Sequence, residues 1–130
     1  MRFISLSFLV FLGSCGSQEN KFVLNGKADV ADGTKIYVLQ ADQNNQPYIK
    51  DSTTVQSNNF KFQGISSTPQ ISYIQVEGVN GYVLAILENG DIKADLFKDS
   101  ISKSKVYGTK SNDDFIKYKS ETKFLVDDMN

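Results

Sequence analysis

Glu88 and Asp91 stand either side of Asn89-Gly90. Two carboxylates held about 5–10 Å apart can divide the acid and base roles of glycoside hydrolysis. At a turn between strands, though, they are more simply explained as solubilising residues. Asp29 and Asp32 bracket another turn and lack the dense oxygen-ligand spacing of a calcium loop. Asp51-Ser52 can orient a ligand, or satisfy its own backbone donors. Ser100 and Lys103 have the Ser-x-x-Lys spacing of a nucleophile and its lysine base. They fall in the polar stretch Lys98–Lys105, where nothing desolvates the lysine to lower its pKa. Ser111-Asn112-Asp113-Asp114 reads as the cap of a helix rather than a metal site. Tyr37, Tyr48, Tyr73, Tyr82, Tyr107 and Tyr118 can line a glycan groove, but on half-buried strands tyrosines pack and leave the hydroxyl wet.

Composition narrows the chemistry further. There is no histidine, no tryptophan and one cysteine, Cys15, so intramolecular disulfides, CxxC redox pairs and Cys/His metal cages are out of reach. The usual general base near neutral pH is missing with the histidines. Arg2 is the single arginine, and setting it aside leaves thirteen lysines against fifteen acids, a charge of −2. Those lysines are spread among acids, and the guanidinium fork that reads phosphate and guanine is absent. Nucleic acid is therefore not an expected partner. No catalytic, cofactor-binding or metal-ligating residue is expected.

The elements that would carry these residues are mostly strands. Tyr82-Val-Leu-Ala-Ile-Leu87 is an unbroken apolar run, followed by Glu-Asn-Gly-Asp and then an alternating arm in which Ile92, Ala94 and Leu96 share one face. The pattern predicts a central β-hairpin, with Asn89-Gly90 as a two-residue type I′ turn and the first arm in the middle of a sheet. Upstream, Phe22-Val-Leu24 leads to a turn or bulge at Asn25-Gly26; strands follow at 36–39, 48–55, 60–64 and 71–76, with a hairpin turn at Ser57-Asn58-Asn59. Val106-Tyr107-Gly108 closes one more short strand. Phe115, Tyr118, Thr122, Leu125 and Met129 then fall at helical spacing, with Ser111 as the expected N-cap. The expected fold is mainly β: an antiparallel β-sandwich or partly open barrel of about 7–8 strands over residues 21–110, followed by a C-terminal α-helix at 111–130.

Residues 1–14 have another character. After Met1-Arg2, residues 3–12 are largely apolar, too short for the roughly 20 residues of a membrane-spanning helix but right for a signal-peptide core. Leu12-Gly13-Ser14-Cys15 resembles the bacterial lipobox. The resemblance implies cleavage before Cys15 and lipidation of its sulfur, with residues 15–20 as lipidated cysteine and tether. At about 0.8 kcal/mol per buried acyl CH₂, two or three chains would hold the protein on a membrane durably.

Several segments together resemble a known family. They are the lipobox, Phe22-Val-Leu-Asn-Gly26, Gly33-Thr-Lys-Ile-Tyr-Val-Leu39, Asp51-Ser-Thr-Thr-Val55, Asn59-Phe-Lys-Phe-Gln-Gly64, Leu87-Glu-Asn-Gly-Asp-Ile92 and Gly108-Thr-Lys-Ser-Asn-Asp113. In order and spacing they look like the domain of unknown function 4369, an N-terminal module of bacterial lipoproteins, over roughly residues 21–120. The resemblance implies a lipid-anchored cell-envelope protein on the outer or inner membrane, periplasmic or surface-exposed. It also implies a frequent downstream thioredoxin-like domain carrying its own CxxC pair; these 130 residues contain no such pair. The expected role is a non-catalytic structural or interaction module, for a protein partner or a downstream domain. A small-ligand or glycan-binding envelope lipoprotein is the alternative. A flat apolar patch near the terminal helix would favour the first reading, and a concave aromatic face the second.

Overall fold

A computed structural model describes residues 20–129, with side chains as far as Thr122. The expected signal peptide, Cys15 and most of the tether lie outside the described residues. Among the described residues eight strands form: β1 (Lys21–Ala28), β2 (Lys35–Ala41), β3 (Pro47–Thr54), β4 (Asn59–Ile65), β5 (Gln70–Val76), β6 (Val83–Leu87), β7 (Gly90–Leu96) and β8 (Lys105–Tyr107). One helix, α1 (Lys110–Met129), follows. The strands make two four-stranded sheets, ordered β4-β1-β7-β8 and β3-β2-β5-β6. The sandwich is open, as expected. Its strand neighbours are antiparallel except β1 and β7, which run parallel in the middle of the first sheet.

Alternation builds the core. In β1, Phe22, Leu24 and Ala28 point inward; in β7, Ile92, Ala94 and Leu96 do; from the other sheet come Ile36, Val38, Ile74, Val76, Val83, Ala85 and Leu87. The two inner faces meet as an apolar layer, as in other face-to-face sheets, with a buried polar pair in the second sheet, where Gln40 donates to the Ser72 hydroxyl at 2.9 Å. The two outer faces differ. On the first sheet, Lys21, Lys27, Lys61, Lys93 and Lys105 are interspersed with Asp91 and Asp95. On the second, the register aligns Ile49, Leu39, Tyr73 and Leu84 across all four strands and sets Ile71 beside Ile86.

The expected central hairpin does not form. β6 pairs with β5, whereas β7 pairs with β1 and β8 in the opposite sheet. Both strands direct apolar residues at the same core, but from opposite sides, so Glu88-Asn89 carries the chain across the sandwich. Nor is β6 central: it is the outermost strand of its sheet, and its unbroken apolar run arises because α1 half-covers its outer side. Gly90 alone of the Asn-Gly pair has a positive φ, at 124°, outside the range that a type I′ turn uses. That turn lies instead at Ser57-Asn58, with φ of 53° and 65°, closed by reciprocal backbone bonds between Gln56 and Asn59 of 2.9 and 3.0 Å.

Asn25-Gly26 is a second correction: β1 runs straight through it. Gly26 lies opposite Phe60 and Gly64 opposite Phe22. A Cβ on Gly26 would overlap the Phe60 ring. The glycine serves close packing of an aromatic ring rather than a change of direction. The polar stretch 98–105 is also more ordered than a simple loop: it holds a 3₁₀ turn at Ile101–Lys103, and Lys105 opens β8.

Candidate functional site

The most extensive polar constellation lies where α1 meets β6. Thr109 precedes the helix, and its carbonyl accepts the Asp113 N–H at 2.9 Å, so the cap sits two residues before the expected Ser111. Asn112, one turn in, is 2% exposed. Its Oδ1 accepts the Ile86 N–H at 2.9 Å, and its Nδ2 donates to the Ile86 carbonyl at 2.8 Å and to Thr109 Oγ1 at 2.7 Å. The side-chain amide thus satisfies both backbone groups of one β6 residue.

Glu88 completes the joint. Its carboxylate accepts the Ser111 N–H at 2.8 Å and the Ser111 hydroxyl at 2.7 Å, so an acid outside the helix serves orphan donors of its first turn. Burial raises the Glu88 pKa, but hydrogen bonds from the Ser111 and Thr109 hydroxyls and the Ser111 and Asn112 amides outweigh it. The carboxyl therefore titrates below its ordinary value. Asp113 reaches back to the Gly108 N–H at 2.9 Å. Lys110 pairs with Asp114 at 2.8 Å on the exposed side, a bond that raises the lysine's pKa.

These contacts show what the candidate residues do. Glu88 is a docking residue of α1, separated in role from Asp91, which lies on the charged outer face of the first sheet. Asp29 accepts the Lys98 N–H at 3.0 Å and Asp32 the Ser57 N–H at 2.8 Å, each tying one loop to another. Asp51 accepts the N–H of Ser52 at 2.8 Å, the local backbone role. Ser100 precedes the 3₁₀ turn that ends at Lys103, and its carbonyl, not its hydroxyl, accepts the Lys103 N–H at 2.8 Å. Among the described residues no group of three or more His, Cys, Asp or Glu is gathered in a way that could hold a metal ion. No helix among them is long and apolar enough to cross a membrane.

The expected helical stripe is only half right. Phe115 is partly buried, but its companion is Ile116, while Tyr118 is 63% exposed. Phe115 and Ile116 approach Leu84, Ser104 and Val106, where β6 and β8 flank the open side of the sandwich. Residues 117–121 are all exposed, so α1 leaves the domain after two turns. Leu125 and Met129 have no described side chains.

The tyrosines divide likewise. Tyr37, Tyr73 and Tyr82 lie on the outer face of the second sheet, with the Tyr73 and Tyr82 rings edge to face at 6.2 Å. Tyr48 donates to the buried Gln40 at 3.3 Å, Tyr107 lies under Lys105, and Tyr118 is out on the helix. A cleft of about 570 Å³ opens beside Lys21, Val23, Gln63, Gly64 and Asp91, and no tyrosine lines it. The six tyrosines therefore do not form one groove. Sequence reasoning missed Asn112 as a docking residue; its signal is a buried amide one turn into a helix.

A family model described as a domain of unknown function, DUF4369, matches residues 22–115. No curated protein and no solved structure matches the chain.

Proposed function

Because this chain belongs to the DUF4369 family of domains of unknown function, we propose that it is a non-catalytic platform. Its sandwich holds α1 in a fixed orientation at the cell envelope, for a protein partner or a downstream domain. The observation that carries this reading is the joint at Asn112 and Glu88. Fully hydrogen-bonded side chains at the joint fix a helix whose residues 117–121 are all exposed. The family match ends at residue 115, within the docked part of α1, which makes the helix the natural exit from the module. The apolar face beside that helix supports an interaction role over a glycan groove.

Spin labels placed at Lys61→Cys and Lys117→Cys, in a Cys15→Ser background, test the platform. One narrow distance distribution is expected, broadened by Asn112→Ala. A broad distribution in the parent protein would refute it. Insulin reduction and a panel of chromogenic esters and glycosides should show no turnover; activity that survives repurification and vanishes on mutating one acid would make the protein an enzyme.

Anchoring through lipidated Cys15 belongs to the same proposal, and its support is the Leu12-Gly13-Ser14-Cys15 segment after an apolar run. Mass spectrometry of membrane-extracted protein should find a lipid adduct on the peptide beginning at Cys15. Recovery of Cys15→Ser in the membrane fraction at the original level and size would overturn it.

A further inference from the structure

We propose that the outer face of the β3-β2-β5-β6 sheet is a self-association surface, on which two copies of the chain pack sheet to sheet about a two-fold axis. The inference goes beyond the platform reading and does not depend on it. The two outer faces of the sandwich, made by the same chain, differ in charge, although the first also carries Val23 and the exposed Ile65. The first sheet's outer face carries five lysines and two aspartates. The second has an apolar row running across all four strands, with no charged residue in it. Lys35 and Glu77 lie at one end, where the Glu77 carboxylate accepts the Lys35 N–H, and Glu88 at the other end is occupied by α1.

The size of the face fits a second copy. Ile49, Ile71, Tyr73 and Tyr82 are 58%, 62%, 39% and 58% exposed, and Tyr37, Leu39, Leu84 and Ile86 are half-buried around them. Taking a large side chain to bury on the order of 200 Å², the face offers about 600 Å². That is the upper end of the largest apolar patch found on ordinary monomers, about 300–600 Å². Doubled by a two-fold, it reaches about 1,200 Å², the lower bound of specific interfaces. The expected dimer is accordingly a reversible one.

Charge points the same way. Apart from Lys35 and Glu77 at one end, the face is uncharged and meets its own copy without opposing like charges, and a chain of net charge −1 has little long-range repulsion against its twin. A two-fold axis along the strands would lay β6 of one copy over β3 of the other and bring the central Leu39 and Tyr73 positions together. The sheets would stand about 10 Å apart.

The test uses the full chain in cells, co-expressed with two different tags. p-Benzoylphenylalanine is placed at Tyr73 or, as control, at Lys93 on the charged face, and protease resistance checks that each variant is folded. Irradiation should join the two tagged forms at twice the monomer mass from position 73 and not from 93. Adding Ile71→Lys to both copies should lower that yield at least tenfold. Folded protein with no joined product from position 73 would overturn the proposal. So would an adduct of another mass, meaning a different protein or a lipid covers the face, or equal products from both positions.

Discussion

Replacing Asn112 by Ala removes a side chain that answers three polar groups at once. The Ile86 N–H and carbonyl lose partners at 2.9 and 2.8 Å, and the Thr109 hydroxyl loses one at 2.7 Å. A buried group left unsatisfied costs about 1–3 kcal/mol. The Ile86 groups are part-buried, so water can repair some of the loss, and a total of about 3–4 kcal/mol is reasonable by the same estimate. Helix propensity acts the other way, favouring Ala over Asn by about 0.6 kcal/mol. The hydrogen bonds win, for a net loss of roughly 2–3 kcal/mol. For a domain near 100 residues each kcal/mol lowers Tm by about 4–8 °C, so a fall of at least about 8 °C is expected on thermal unfolding. Hydrogen exchange should show the Ile86 amide and residues 110–116 losing protection together, while Ser120→Ala, on the exposed part of α1, leaves both measurements unchanged. A Tm within about 2 °C of the parent, with Ile86 still protected, would refute the argument that this amide docks the helix.

Gly26→Ala should cost about 1–3 kcal/mol, the usual penalty for overpacking, because its Cβ would overlap the Phe60 ring. Combining it with Phe60→Leu should recover part of that loss, and strictly additive melting shifts would show that the ring is not the obstacle. Glu88 has a lowered pKa in the folded state. Its contribution to stability is therefore complete above the unfolded-state value of 4.5 and is lost as pH falls through the lower folded-state value. Glu88→Gln should flatten that acid limb of stability against pH; an unchanged limb would assign it to other carboxylates.

Much of the architecture was legible, because alternation is a local signal. Ile92, Ala94 and Leu96 declare an inner face whichever sheet they join, and Ser57-Asn58 declares a tight turn. What alternation cannot declare is the partner. The corner at Glu88-Asn89 and a true hairpin begin with the same residues, and only the position of the second sheet decides between them. Gly26 misled for a related reason: glycine marks either a turning backbone or a place where a neighbour needs room, and Phe60 lies thirty-four residues away. Around α1, the period located the helix, but the position of β6 and β8 selected Asn112, Phe115 and Ile116 as the face that docks. Tyr118, in phase with Phe115, was left in water.

The pairing of Asn112 with Ile86 also bears on how the protein avoids sticking to other chains. An outermost strand presents a row of amides and carbonyls on which a foreign strand can grow. β3, at the far side of the same sheet, carries Pro47, Lys50 and a bulge after Val38 on its neighbour, all of which discourage such growth. β6 has no proline and no lysine; its defence is a side-chain amide that fills one pairing position and offers no next one. Docking of the helix and closure of the sheet are thus the same event. A chain that has lost α1, whether by truncation at Gly108 or by proteolysis, should expose a ready-made template flanked by Leu84 and Ile86, and fibrous aggregation rather than simple loss of stability becomes the expected fate of the damaged protein.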